Sequence, residues 1–143
     1  MHPNANLLFL CGSNSCRSQM AEGILRSLAG DRFDVKSAGA SASYVHPMAI
    51  RVMDEIGIDI SNQRSKSLDE FIGQRFDYVI TVCANDRKSI CPFFPGKIGQ
   101  RISWGFEDPA DADGDEDERL AVFRRVRDGL IQNIKQFLQT HPN

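Results

Sequence analysis

Cys11-Gly12-Ser13-Asn14-Ser15-Cys16-Arg17-Ser18 lies between a short apolar run, Leu7-Leu8-Phe9-Leu10, and a helical pattern from Gln19 to Leu28. Its place predicts a loop joining a strand to a helix, with a thiol at one end, a guanidinium near the other and five residues between them. Backbone N–H groups of such a loop can converge on an anion, helped by the N-terminus of the helix that follows. Arg17 adds a planar fork suited to a tetrahedral oxyanion, and the same positive field favours Cys11 as a thiolate. The stretch therefore predicts a nucleophile beneath an oxyanion cradle made by Gly12, Ser13, Asn14, Ser15, Cys16 and Arg17. The bland alternative is a structural turn holding a buried, inert cysteine. The strand on one side and the helix on the other favour the cradle. Cys16 itself reads as packing.

Outward from this loop the pattern alternates. Asn6 to Leu10 reads as a buried central strand, and residues 18 to 29 as a helix with Met20, Ile24, Leu25 and Leu28 on its apolar stripe. Phe33 to Ser37 reads as a second strand and 38–41 as a loop. His46-Pro47 opens a helix with Pro47 near its first position, lined by Ile50, Met53 and Ile56 and stopped at Gly57. A polar connection, Asp59 to Ser67, leads to a short helix near Leu68 to Ile72. Phe76 to Val82, rich in aromatic and β-branched residues, is the strongest strand signal and runs into Cys83. Residues 84 to 96 read as a mobile segment, Lys97 to Ser103 as an edge strand and Trp104 to Asp115 as a loop. The final helix spans Leu120 to Leu138, with Leu120, Phe123, Val126, Leu130, Ile134 and Phe137 as its core stripe. Strands alternating with helices predict an α/β fold, a three-layer sandwich whose central four-stranded parallel sheet carries helices on both faces. Ligands of such sheets bind beyond the carboxyl ends of the strands, which is where Cys11 and Cys83 both fall.

The whole chain, 1–143, reads as a single domain. A net charge of −2 gives no case for a nucleic-acid partner, and no apolar run approaches the length of a membrane span. Met1 to Ala5 shows no signal peptide, so a cytoplasmic protein is expected. In that compartment four cysteines point to catalysis, redox or metal chemistry rather than a disulfide framework. No Cys or His pair has zinc spacing. His2, His46 and His141 sit in poor contexts for catalysis. The acidic run Asp111 to Glu118 fails as an EF-hand, since its sixth position is Glu116 and its twelfth Val122. It suits the positive end of the last helix instead.

The stretch Cys11 to Gly23 resembles the arsenate reductases built on the low-molecular-weight protein tyrosine phosphatase fold. So do Ser37-Ala38-Gly39, His46-Pro47, Gly57 to Ser61, Thr81-Val82-Cys83, Cys91-Pro92, Trp104 to Pro109 and Phe123 to Arg127. The resemblance implies that Cys11 attacks arsenate, that Arg17 clamps it, that Ser18 hydrogen-bonds the Cys11 sulfur and that Asp108 is the general acid. It implies a relay in which Cys83 attacks Cys11 as arsenite leaves, Cys91 then attacks Cys83, and thioredoxin reduces the resulting Cys83–Cys91 disulfide. Arsenic(V) is reducible by thiols and phosphorus(V) is not, and one disulfide supplies the two electrons required. Each role has a plainer rival: a simple turn at Asp108-Pro109, a buried end-of-strand thiol at Cys83. Trp104 and Phe106 read equally as walls of the site or as core. Some relatives bind a potassium ion near the positions of Asn14, Glu22 and Ser37. Here Ser65-Lys66 stands where they carry an acid, so no cofactor is expected and Lys66 takes the ion's place beside Glu22. A monomer is expected. The alternatives are a tyrosine phosphatase of the same fold, poorly served by Ala110-Asp111 after the Asp-Pro pair, and a non-enzymatic arsenic-binding thiol protein. Glutaredoxin or a small thiol is the other candidate electron donor.

Overall fold

The computed structural model describes residues 4–84 and 91–141. Four strands, β1 (Ala5–Cys11), β2 (Phe33–Gly39), β3 (Phe76–Cys83) and β4 (Ile98–Phe106), form one parallel sheet in the order β2-β1-β3-β4. Three α-helices, α1 (Arg17–Ala29), α2 (Pro47–Asp54) and α3 (Glu116–Thr140), join 3₁₀ turns at Leu68–Phe71 and Pro109–Asp111.

Alternation along β1 divides the interior. Leu7, Phe9 and Cys11 point into a large cluster with α1, α2 and α3, among them Met20, Ile24, Val52, Phe123, Leu130 and Ile134. Leu8 and Leu10 point the other way, into a smaller cluster with Phe71, Phe76, Val79 and Phe94. From β1 the chain moves one way to β2 through α1, on the large-cluster face. The connection from β2 back to β3 first lays α2 on that same face and then carries the Leu68–Phe71 turn to the opposite one, where the connection to β4 adds Phe94. Phe9 is fully buried at the centre, and trimming it to alanine should cost about 3–5 kcal/mol.

The reversal of direction makes the carboxyl ends of β1 and β3 the switch point of the sheet. Leu10 pairs with Thr81, which puts Cys11 and Cys83 at neighbouring strand ends. The β3–β4 register breaks between Thr81 and Cys83, and Val82 and Cys83 both join the large cluster. The extra residue lies on β4, where three steps from Ser103 to Phe106 oppose two from Thr81 to Cys83.

Four expectations need correction. Leu28 is exposed and does not share the stripe of α1; Ala29 is buried in its place, since α1 ends there over β2. Ile56 lies past the end of α2 and is exposed. β4 continues to Phe106, so Trp104 and Phe106 lie in a strand, where their inward faces pack on the large cluster. α3 begins at Glu116, four residues early, because Asp115 and Glu118 close a capping box. The segment expected to be mobile falls at 85–90 outside the described residues, as does His2.

Candidate active site

The loop after β1 is held by its carbonyls. Ala40 N–H donates to the Cys11 carbonyl at 3.3 Å and Ser41 N–H to that of Gly12 at 3.3 Å. The Ser43 and Ser65 hydroxyls donate to Ser13 O at 3.1 and 3.2 Å, and Gln19 Nε2 to Asn14 O at 3.2 Å. His46 N–H takes Ser15 O at 3.1 Å and Met20 N–H takes Cys16 O at 2.9 Å. Every carbonyl from Cys11 to Cys16 thus accepts from a neighbouring donor, while the N–H groups of Ser13 to Cys16 have no acceptor among the described residues. A loop satisfied on its carbonyl side and unsatisfied on its amide side is an anion nest.

Asn14 shapes the loop. Its φ of 52° is left-handed, a conformation Asn tolerates better than most residues. Its side chain is the hub of a buried network: Nδ2 donates to Ser18 Oγ at 2.8 Å and to Ser37 Oγ at 3.0 Å. Oδ1 accepts from Gln19 Nε2 and from Lys66 N–H, both at 2.8 Å. Ser18 Oγ, which accepts from Asn14, lies within hydrogen-bond distance of the Cys11 sulfur at 2.7 Å. Ser37 likewise accepts from Asn14 and donates to the Glu22 carboxylate. Gly39 lets the loop close down on β2, since a Cβ there would lie 2.6 Å from Asn14 N and 2.8 Å from Gly12 O.

Arg17 opens α1, whose first turn carries no acid to occupy its positive end. The side chain is buried; Nη1 donates to Phe106 O at 2.9 Å and Nη2 lies 3.6 Å from Asp108 Oδ2. Its Nε is buried without a partner among the described residues. Asp108 caps the Pro109–Asp111 turn through Ala110 N–H at 3.0 Å and remains partly exposed. Burial pushes the Cys16 thiol up to about 12, helped by the negative charge of Asp108, in accord with its reading as packing. His46 accepts Met48 N–H at the start of α2, and burial with the nearby Arg119 lowers its pKa. His141 stacks on Phe137 at the end of α3.

Cys83 and Cys91 are joined as a disulfide, with Cα atoms 5.8 Å apart. Cys83 is buried and Cys91 half-buried. Lys66 is buried with Nζ 3.9 Å from Glu22 and 2.6 Å from Arg64 O; Arg26 reaches the other Glu22 oxygen at 2.5 Å. Two cations thus face that carboxylate. Burial lowers the Lys66 pKa and Glu22 opposes the shift. Among the described residues no cluster of His, Cys, Asp or Glu is arranged to hold a metal, and no helix is long and apolar enough to cross a membrane.

Sequence reasoning placed Cys11 and Cys83 at one edge of the sheet, and the loop motif and the resemblance added Arg17, Ser18, Asp108 and Cys91 to the same site. It missed Gln19 and Gly39 as supports of the loop and the Phe106 carbonyl as the anchor of Arg17. Asn in a turn flanked by Gly and Ser was the available signal for the left-handed hub; nothing in a sequence marks a carbonyl.

The family model for low molecular weight phosphotyrosine protein phosphatase matches residues 6–141. An arsenate reductase of Halalkalibacterium halodurans is 48% identical over 134 residues, 94% of this chain and 95% of that protein. A solved arsenate reductase in its phosphate-binding state superposes with a TM-score of 0.80 at 34% identity, covering 95% of this chain and 98% of that one. A thioredoxin-dependent arsenate reductase of Corynebacterium glutamicum superposes at 0.69 with 28% identity, covering 96% of this chain and 62% of that one. A strand-to-helix nest over a cysteine, with relatives this similar along nearly all its length, places the chain in the low molecular weight phosphotyrosine protein phosphatase family, on its arsenate reductase branch.

Proposed function

We propose that this chain reduces arsenate to arsenite through Cys11, Cys83 and Cys91 and is recharged by thioredoxin. The observation that carries the reading is the pairing of an oxyanion nest on β1 with a Cys83–Cys91 disulfide at the end of the adjacent β3. A phosphatase needs the first and has no use for the second. The Cys11 thiolate bonds to arsenic(V) in the nest, held by the loop amides and Arg17. Asp108 gives its proton to the departing oxygen, which leaves as water. The Cys83 thiolate then attacks the Cys11 sulfur. The sulfur–arsenic bond breaks with its electron pair staying on arsenic, and arsenite leaves as a Cys11–Cys83 disulfide forms. Cys91 displaces Cys11 from Cys83, restoring the Cys11 thiolate. The Cys83–Cys91 bond is the state that thioredoxin's two thiols reduce, taking the disulfide themselves. The cytoplasm, where thiols are kept reduced, is the compartment such a cycle requires.

The test is arsenate-dependent NADPH oxidation with thioredoxin and thioredoxin reductase. Cys11→Ser, Cys83→Ser and Cys91→Ser should each stop turnover, and Cys16→Ser should leave it intact. Unimpaired turnover in either of the two later variants would overturn the relay. Lys66, in place of potassium, neutralises Glu22. Potassium should then raise neither turnover nor melting temperature above the values in sodium, and a potassium-specific gain would reject the substitution.

A further inference from the structure

We infer that Phe93, propped by Arg101, is the docking platform for the protein dithiol that reduces the Cys83–Cys91 bond, an inference that rests on the proposed recharging by thioredoxin. Phe93 is 70% exposed, more than any other large apolar side chain among the described residues, while its neighbour Phe94 is fully buried. Phe94 packs edge-on to Phe76 at 5.5 Å between ring centres, and this anchor turns Phe93 outward. Arg101 fixes it there, with its guanidinium 4.0 Å from the Phe93 ring centre and Nη2 donating to Phe94 O at 2.7 Å. An exposed phenylalanine held still by two contacts, rather than left to fold onto its own surface, has the character of an interface anchor.

Its location is as telling. Phe93 and Pro92 line a groove of about 270 Å³ together with Cys91, Val79, Thr81 and Ile102. Cys83 is 2% exposed, so the sulfur that an external thiolate can reach is that of Cys91. The partner's thiolate bonds to Cys91, Cys83 leaves with the electron pair and takes a proton, and the partner's second thiol displaces Cys91 and carries the disulfide away. A monothiol needs two separate encounters for this and offers little surface to bury against Phe93. A protein with apolar surface around its attacking cysteine covers the ring and completes both steps in one encounter. Among the described residues Arg101 is the groove's charged side chain, which favours a neutral or acidic facing surface.

The experiment follows reduction of the pre-oxidised protein, without arsenate, by reduced thioredoxin and in parallel by dithiothreitol. Phe93→Ala should lower the second-order rate constant with thioredoxin by about tenfold, and Phe93→Trp should retain it. Both variants should react with dithiothreitol at the parent rate. The platform is overturned if Phe93→Ala reacts with thioredoxin as fast as the parent, if it slows equally with dithiothreitol, or if thioredoxin fails to reduce the parent. Arsenate turnover is assayed separately. A parent that turns over no arsenate yet shows the Phe93-dependent thioredoxin rate refutes the proposed reaction and leaves the platform standing.

Discussion

The oxyanion loop and the Cys83–Cys91 pair stand at the same edge of the sheet, one strand apart, and are held in opposite ways. Around Cys11 six consecutive carbonyls are engaged, and Asn14, Ser18 and Gln19 are fully buried in a network that reaches Glu22. Around Cys83 a bulge interrupts the strand register, and the structural tie to Cys91 is a covalent bond that the proposed chemistry makes and breaks. The first region must match one charge distribution at every turnover, which rewards groups fixed in advance. In the proposed relay the second presents each sulfur to a different partner in turn, which a rigid network would forbid.

The largest predicted effect separates the two. Cys83→Ser and Cys91→Ser should lower thioredoxin-coupled arsenate turnover by about 10⁴-fold or to background, as when a reacting group is removed. Hydrolysis of an aryl phosphate, which uses only the oxyanion end, should continue at the parent rate in both. Loss of the phosphatase reaction in these variants would mean that the regions are one site and the contrast is false. Ser18→Ala should act on both reactions alike. It removes the hydroxyl 2.7 Å from the Cys11 sulfur and strands an Asn14 N–H. A hydrogen bond to a charged sulfur is worth about 1.5–3 kcal/mol, so a loss of roughly 10- to 100-fold in each is expected. A loss in one reaction alone would show that Ser18 serves a later step.

Gly39→Ala tests whether the loop's rigidity comes from its seat. The added methyl meets backbone on three sides, Asn14 N, Gly12 O and Ser13 C, none of which can swing aside. A stability loss of about 1–3 kcal/mol in urea unfolding is expected, with both oxyanion reactions impaired. The rate at which dithiothreitol reduces the Cys83–Cys91 bond should not change.

The same contrast governs what could be read from the chain. The oxyanion loop was legible because strand, turn and helix signals meet at Cys11 to Ser18 and because Cys and Arg are chemically specific. β1, β2, β3 and α1 were legible from periodicity for the same reason. What escaped were features that depend on distant backbone. The amphipathic pattern put Leu28 inside, yet tertiary position at the end of α1 exposes it. Trp104 and Phe106 looked like loop residues because Gly105 separates them, whereas pairing with β3 draws them into a strand. Gly39 carried no local signal, since the collision it avoids is with a segment some 25 positions earlier. Phe93 and Arg101 were silent for the same reason: their contact exists only after β4 has joined the sheet.

The smallest effect on chemistry is expected at a third place, which serves as the control. Glu55, at the end of α2, accepts from Arg124 at 2.7 Å and from Arg127 at 2.9 Å, tying α2 to α3 away from both thiol regions. Hydrogen bonds from Arg124, then from Arg127, hold its carboxyl down at about 2, against an ordinary value of 4.5. A carboxylate whose pKa is depressed on folding adds stability that is fully present above the unfolded pKa. That stability is lost as pH falls toward the folded one. Glu55→Gln should therefore lower the urea midpoint at neutral pH. The gap from the parent should narrow through the interval from about 4.5 to about 2 and close at its lower end. Arsenate turnover, aryl phosphate hydrolysis and disulfide reduction should all match the parent at neutral pH. A gap that stays constant across that interval would assign Glu55 to packing rather than charge. A change in any of the three reactions would show that the α2–α3 tie reaches a thiol region, and the division between the two ends would have to be redrawn around it.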